Sequence, residues 1–519
     1  MQASDLEVFR HRCTAIAEEM GAALERSALS SNIQERRDYS CALFDAQGRM
    51  IAQAAHIPVH LGAMPRSVEA AIQHCAPLLD GDVVILNDPY AGGTHLPDLT
   101  TVAPVYLNGI HIAYSATRAH HADVGGMTPG SMPMSRSVFQ EGIIIPPIRL
   151  VDRGIRNDGV FALIVRNSRT QDERRGDLAA QLACHAISAD RLRDLVSRMS
   201  FARFQLMADA LNAYSCRRME LLIEQIPAGT YAAEEYLDDD GISTSKIPLC
   251  VTITITHGRI IVDFAGSAPQ CEGPLNAPRA VTESAVLYAL RLLASDDIPM
   301  TAGTSLPITI LIPPGSILNP VPPAAVAGGN VETSQRVVDV VLRALSIAIP
   351  DRVPAQSAGT MNNWTMGGTR ADGSPFAYYE TLGGGMGARP DASGLHAVQT
   401  HMTNTRNSPV ESFERIYPVR VESLCIQTDS GGKGMHSGGN GLRKTIRFLR
   451  PATVTVLTER RVIAPAGGEG GESGMRGQNT LLRDGIEIRL PGKGTVEVQA
   501  DDALTIQTPA GGGYGQPTE

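Results

Sequence analysis

Fifty-one glycines and thirty-three prolines, about a sixth of the chain, punctuate this 519-residue sequence, while aromatic residues supply only 4%. Glycine and proline interrupt regular elements and provide turn conformations. Such a chain is expected to fold into many short strands and loops, with backbone groups available for binding. The hydrophobic share, 43%, is ordinary for a globular protein. The net charge of −9 argues against a general nucleic-acid or anionic-membrane binder, which needs a basic face. No window approaches the roughly 18 apolar residues of a membrane span. The opening MQASDLEVFRHRC lacks a basic stretch followed by an apolar run, so no secretory leader is read and a cytoplasmic location is expected.

The eight cysteines are spread singly with no CxxC pair, which excludes a thiolate zinc motif and favours reduced, mostly buried thiols. Apolar residues recur at three- and four-residue spacing over 4–29, which predicts a helix. Asp45–Gly48 separates two apolar runs, as in a hairpin. Residues 62–79 read as helix and 82–86 as a buried strand. Asn108-Gly109 is a strong two-residue turn between strands at 101–106 and 111–117. The stretch 127–153 reads as a long covering loop and 168–226 as a helical hairpin. Alternation at 248–265 predicts strands turning at His257-Gly258, followed by a helix at 281–294. A further helix is expected from Val331 to Ile347, capped by Asn330 or Thr333. The fold class is therefore α+β. A mixed α/β N-terminal region (1–165) precedes a central helical hairpin (166–226), an α+β region (227–349) and a β-rich, glycine-rich C-terminal part (350–519), all read as parts of one body.

The chemistry concentrates in NDPYAGGTHLPD (87–98) and RAHHADVGG (118–126). Imidazoles and carboxylates are ligands of divalent metals such as Zn, Mn or Fe. His95 and Asp98 lie three residues apart, and His120, His121 and Asp123 form a second set on the far side of the hairpin. The loops after two strand regions would meet at one sheet edge. Strand residues alternate in direction, so one of His120 and His121 enters the site and the other supports it or acts as a base. A catalytic metal keeps about three protein ligands and lowers the pKa of a bound water to near 7. Upstream, Asp38 follows two arginines, His60 is placed to face the same cavity, and His56 reads as structural. Downstream, Arg406 and Glu380 are the candidate substrate-binding residues. The glycine-rich stretches at 383–390, 430–444 and 465–479 read as β-turns of a sandwich, since neither GxxxxGK[ST] nor a GxSxG elbow occurs.

These motifs, in this order along essentially the whole chain, resemble the hydantoinase B/oxoprolinase family. The likeness is carried by AAHIPVHLGAM (54–64), the 87–105 and 116–132 segments, GDLAAQ (176–181), GGNVETSQRVVDVV (328–341), HMTNTRNSPVE (401–411), SGGKGMHSGGNGLRK (430–444) and TPAGGGYG (508–515). The resemblance implies a hydrolase of hydantoin, oxoproline or lactam-type rings. A partner A-type ATPase chain, in a heterotetramer, would bind ATP and phosphorylate the carbonyl oxygen, and this B-type chain would complete hydrolysis at a divalent metal. It also implies Asp38, His95, Asp98 and His120 as ligands, with His121 and Asp123 as supporting or acid–base groups; His60, from its place beside the same cavity, is the third catalytic candidate. A ketone carboxylase core subunit and a non-catalytic scaffold for the A-type chain are the alternatives. The chain is short beside the family's carboxylase subunits, which points to the hydrolase branch.

Overall fold

A computed structural model describes residues 3–54, 57–60, 62–294 and 298–517, so His56 lies outside the described residues. The N-terminal part is a sheet of β1 (Tyr39–Asp45), β2 (Met50–Gln53), β3 (Val83–Leu86), β4 (Asp98–Leu107), β5 (Ile110–His120), β6 (Ile148–Asp152) and β7 (Ile155–Arg156). Its order is β2-β1-β5-β4-β3-β6-β7, and every paired neighbour is antiparallel. Asn108 and Gly109 take left-handed φ of 51° and 78°, as the β4–β5 hairpin turn requires.

The helices follow chain order: α1 (Ala3–Ser27), α2 (Ser31–Gln34), α3 (Met64–Cys75), α4 (Asp158–Arg166), α5 (Gln171–Met199), α6 (Phe201–Glu224), α7 (Arg279–Leu292), α8 (Ser334–Ser346) and α9 (Val410–Ile416). Helices α1, α5 and α6 pack on one face of the sheet, and α3 packs on the other. Cover on both faces explains why all seven residues of β1 are buried rather than every second one. Helix α5 docks partly through a polar seam. Gln181 donates to Leu99 O and Thr117 Oγ1, while the His185 ring bridges Thr101 Oγ1 at 2.9 Å and Ser115 Oγ at 2.8 Å.

A second sheet, β11-β10-β9-β8, joins β8 (Gly229–Leu237), β9 (Ile247–Thr256), β10 (Arg259–Asp263) and β11 (Ile308–Leu311). Helices α7 and α8 bury its inner face in the largest core. The helix expected from Val331 starts differently. One π turn, Gly329–Thr333, precedes α8, and neither Asn330 nor Thr333 caps it with a side chain. The wider turn frees the Asn330 amide to reach Asp98 instead. The stretch 127–153 is irregular, apart from one 3-10 turn at Val138–Gln140, until β6 joins the first sheet.

The C-terminal part is a sandwich. One sheet has the order β13-β12-β16-β19 and the other β14-β15-β20-β17-β18. The strands are β12 (Asn363–Thr369), β13 (Pro375–Glu380), β14 (Val419–Ile426), β15 (Leu442–Phe448), β16 (Ala452–Leu457), β17 (Gln478–Arg483), β18 (Ile486–Leu490), β19 (Lys493–Val498) and β20 (Ala503–Gln507). Trp364, Tyr378, Phe413, Ile446 and Leu504 fill the space between them. The glycine-rich segments are not mainly the turns expected of them. They lie against one another and exchange backbone hydrogen bonds, from Gly439 to Met386 (2.8 Å), Gly511 to Gly439 (2.9 Å) and Gly432 to Gly511 (2.9 Å). A Cβ on Gly511 would stand 2.0 Å from Met386 O, so close backbone packing demands glycine there. All eight cysteines are free, four of them buried.

Burial pulls the His185 imidazole down to about 4. Its folded value lies below the unfolded value of about 6.5, so the unfolded chain binds the extra proton. The associated stability is present above about pH 6.5 and is lost as the pH falls toward 4, by up to about 3 kcal/mol. The thermal midpoint should therefore fall more steeply between pH 6.5 and 4.5 in the wild type than in His185→Gln; equal slopes would contradict this assignment.

Candidate metal centre

Three strand ends meet at one edge of the first sheet. Asp98 opens β4 and His120 closes β5, and the two are direct partners in the antiparallel ladder. The His120 amide donates to Asp38 O at 3.0 Å, which brings the residue before β1 alongside. Leu96 O and Ile143 O take the Asn87 amide hydrogens and so fix the loop that carries His95. In this loop a Cβ on Gly93 would stand 2.5 Å from Asn87 O, a turn too tight for any side chain.

The result is a buried cluster centred on one carboxylate. Asp98 Oδ1 lies 3.1 Å from His95 Nε2 and 3.3 Å from His120 Nδ1, and the two nitrogens are 3.2 Å apart. Asp98 Oδ2 accepts from Thr94 Oγ1 at 2.6 Å and faces Asn330 Nδ2 at 3.5 Å and His60 Nε2 at 3.6 Å. Ser40 Oγ holds His60 Nδ1 at 2.8 Å, and Ala327 O lies 3.4 Å from His95 Nδ1. The Tyr379 ring stacks on His120 at 4.4 Å between centroids.

Burial alone would raise the Asp98 carboxyl. His95, followed by hydrogen bonds from His120, His60 and His95, overrides it and holds the group well below the usual carboxylate range. For His95, burial is the largest influence and acts downward, but the Asp98 charge outweighs it and the net shift is upward. Burial dominates at His60 and His120 and lowers both. An ionised carboxylate thus sits beneath three imidazoles, at least two of which favour the neutral form in which imidazole binds metals.

This donor set fits a divalent ion. Donors held about 2.0 Å from a tetrahedral ion stand about 3.3 Å from each other, and the spacings here are 3.1–3.3 Å. Within the described residues His95, Asp98 and His120 form a group able to hold a metal, with ligand atoms all within 4.8 Å. His120 Nε2 is buried without a hydrogen-bond partner. Burying polar and ionised groups costs several kcal/mol unless they are well compensated, so stability is a poor reason for such a cluster.

The other sequence candidates fall in different places. Asp38 borders the same small cavity but stands outside the three-residue group. His60 faces Asp98. His121 turns away: its Nε2 meets Gln181 Oε1 at 2.9 Å on α5, and burial, reinforced by Arg174, pulls it down to about 3. Asp123 is also elsewhere, clasping Gly125 N, Gly130 N and the Arg169 backbone and guanidinium. Glu380 is buried against Lys444, Trp364 and Asn407, and Arg406 is exposed, so neither reaches the cluster. Both lie one residue away from one that does: Tyr379 and Thr405 line the cavity. Tyr379, Thr94 and Ser40 were not singled out in the sequence, and Asn330 was read there only as a helix cap. Alternation along β13 was the available signal for Tyr379.

The family model for hydantoinase B/oxoprolinase matches residues 2–517. The chain belongs to that family. It is 41% identical to 5-oxoprolinase 1 of Arabidopsis thaliana over 98% of its length, while covering 41% of that protein. It thus spans about two-fifths of the 5-oxoprolinases it matches. It is 30% identical to a protein named as the B-type subunit of a D-/L-hydantoinase in Pseudomonas sp. (strain NS671), covering 97% of this chain and 88% of that one. The ATP-dependent caprolactamase from Pseudomonas jessenii superposes with a TM-score of 0.93 at 26% identity, over 99% of this chain and 91% of that one. An acetone carboxylase in a nucleotide-free structure shares the fold, with a TM-score of 0.91 at 17% identity over 99% and 75% of the two chains. Among the described residues no helix is long and apolar enough to cross a membrane.

Metal analysis of the purified chain should find about one divalent ion per chain, with occupancy collapsing in His95→Ala and Asp98→Ala and surviving in His121→Ala. Full occupancy in Asp98→Ala would exclude this centre.

Proposed function

We propose that this chain is the metal-binding, hydrolytic B-type subunit of an ATP-dependent cyclic amidase acting on hydantoin, oxoproline or lactam-type rings. The observation that carries this reading is the buried convergence of His95 and His120 on Asp98, in a chain whose relatives are named as 5-oxoprolinases and as the B-type component of a hydantoinase. His95, Asp98 and His120 would hold the ion, with Asp38 beside them. When bound, the ion would supply Lewis-acid activation of water and of the reacting oxygen.

Amides are poor electrophiles. In this reading a partner A-type chain transfers the γ-phosphoryl group of ATP to the carbonyl oxygen. Water adds to the activated carbon, and the ring nitrogen takes up a proton and leaves as the amine. A second water cleaves the resulting acyl phosphate to the ring-opened acid and inorganic phosphate. The chain's own residues provide the setting. Val59, Val331, Met361 and Met402 line the cavity beside the cluster and limit bulk water. Burial keeps His60 neutral, and Ser40 fixes its ring, so its Nε2 is placed to exchange a proton at the reacting centre. The Asn330 amide and the Thr94 hydroxyl hold Asp98 Oδ2 and fix the carboxylate plane.

Co-expression with an A-type chain, followed by ATP consumption assays across hydantoins, 5-oxoproline, lactams, and ketones with bicarbonate, tests this reading. One ring substrate should stimulate ATP turnover and yield the ring-opened acid, and Asp98→Ala should abolish ring opening. Carboxylated product from a ketone would instead make the chain a carboxylase component. A complex that stays active in both His95→Ala and Asp98→Ala would reduce it to a scaffold.

A further inference from the structure

Three threonines from two distant segments line the wall of the cluster's cavity. They are Thr381, just after β13, and Thr403 and Thr405 from the HMTNTRNSPVE stretch, all buried. Thr403 and Thr405, two residues apart in sequence, both reach this wall. Behind them lies Arg36, fully buried, whose Nη2 donates to Thr381 Oγ1 at 3.1 Å and to Thr405 Oγ1 at 3.3 Å. Its Nη1 donates to Tyr379 O at 2.9 Å, and its guanidinium sits 4.8 Å from the Tyr379 ring centroid. The nearest carboxylate, Asp38, is 3.9 Å from Nη1, a loose ion pair.

The direction of the hydroxyl protons follows from counting lone pairs. A hydroxyl oxygen accepts two hydrogen bonds and donates one. Thr381 Oγ1 receives N–H groups from Arg36 and from Gln399 Nε2 at 3.1 Å, so its own proton goes to Thr405 Oγ1 at 2.7 Å. Thr405 Oγ1 then holds that proton and the Arg36 N–H, and donates to Thr403 Oγ1 at 3.3 Å. Thr403 Oγ1 also faces the Thr405 amide at 3.5 Å, which uses its second lone pair. The Thr403 proton ends the chain, with no acceptor in the hydrogen bonds of the described residues. A guanidinium charge therefore polarises a row of hydroxyls toward one outward donor.

Thr403 stands at a junction. It lines the inner cavity of about 20 Å3, room for roughly one water, and it also lines an adjoining open cavity of about 620 Å3 beside Tyr288, Arg352 and Gln399. A small ring molecule fits the outer space, and only a reacting group fits the inner one. A donor held at the boundary, with a buried cation behind it, suits an anionic oxygen.

We infer that Thr403, its hydroxyl polarised through Thr405 and Thr381 by Arg36, forms a subsite for an anionic oxygen group of the substrate, a carboxylate or phosphoryl group entering from the outer cavity. This rests on the reading of the cluster as a hydrolytic metal centre, and it names the chemical class of what that centre receives.

Calorimetric binding to the metal-loaded chain tests the subsite without turnover. The probes are 5-oxoproline, 2-pyrrolidinone (the same ring without the carboxylate) and inorganic phosphate. At least one anionic probe should bind, and the paired Thr403→Val/Thr405→Val variant should bind it about 10- to 100-fold more weakly, the loss of a hydrogen bond to a charged group. Thr403→Ser/Thr405→Ser, which keeps the hydroxyls, should restore most of the affinity. Preference for 5-oxoproline over 2-pyrrolidinone assigns the group as a carboxylate, and binding of phosphate alone assigns a phosphoryl group. Metal content and the thermal midpoint must match wild type, which separates loss of the subsite from loss of the centre or the fold. Equal anion binding by wild type and the valine variant, or no anion binding by a fully metallated wild type, overturns the subsite. Loss of metal in His95→Ala is a separate result that bears only on the hydrolytic centre.

Discussion

The pairing of Asp98 with His120 across the β4–β5 ladder positions the rest of the site. Because the two residues are register partners at a strand start and a strand end, their side chains emerge together at the sheet edge. The hairpin turn at Asn108-Gly109, together with the irregularity between Val105 and Tyr106 that shifts the ladder by one residue, sets that register from the opposite end of both strands. A one-residue slip would replace His120 by His121 or Ala119 opposite Asp98 and turn the imidazole toward α5. The tight backbone at Gly93 then delivers His95 to the same oxygen.

Around that pair the chain closes from long range. Asn330 arrives from the π turn before α8, Tyr379 from β13, and Thr403 and Thr405 from the segment before α9. Glu141 ties the covering stretch to the Val326 and Ala327 amides. The Ala327 carbonyl in turn faces His95 Nδ1. Burial pushes the Glu141 carboxyl up to about 7 despite these bonds. Several ionisable groups thus sit in low dielectric, where each is costly unless matched. A cation accepted by Asp98, His95 and His120 would compensate much of that cost, which ties metal binding to stability in the folded chain.

Much of the local structure was legible in the sequence. Helical spacing located α1, α5, α6 and α7, and turn residues located two of the three hairpins of the first sheet, β1–β2 and β4–β5 but not β6–β7, because these signals are short-range. The convergence of His95, Asp98 and His120 was legible too, since period-two alternation and two strand ends suffice to bring them together. What failed was direction at single residues. Asp123 follows β5, where the strand has ended and alternation no longer applies, and it turns to the 125–130 loop and Arg169. Glu380 and Arg406 were each chosen one position from a residue that lines the cavity, and along β13 one position reverses the face. The C-terminal glycines serve close backbone packing between segments far apart in sequence, and no local pattern announces that.

The central claim is that two imidazoles and the Asp98 carboxylate hold a divalent ion. X-ray absorption at the edge of the bound metal reads this directly. The spectrum should show only nitrogen and oxygen neighbours at about 2.0–2.2 Å, with the outer-shell signature of about two imidazoles that falls by half in His120→Ala. Sulfur neighbours, or a spectrum without imidazole that is unchanged in His120→Ala, would contradict it.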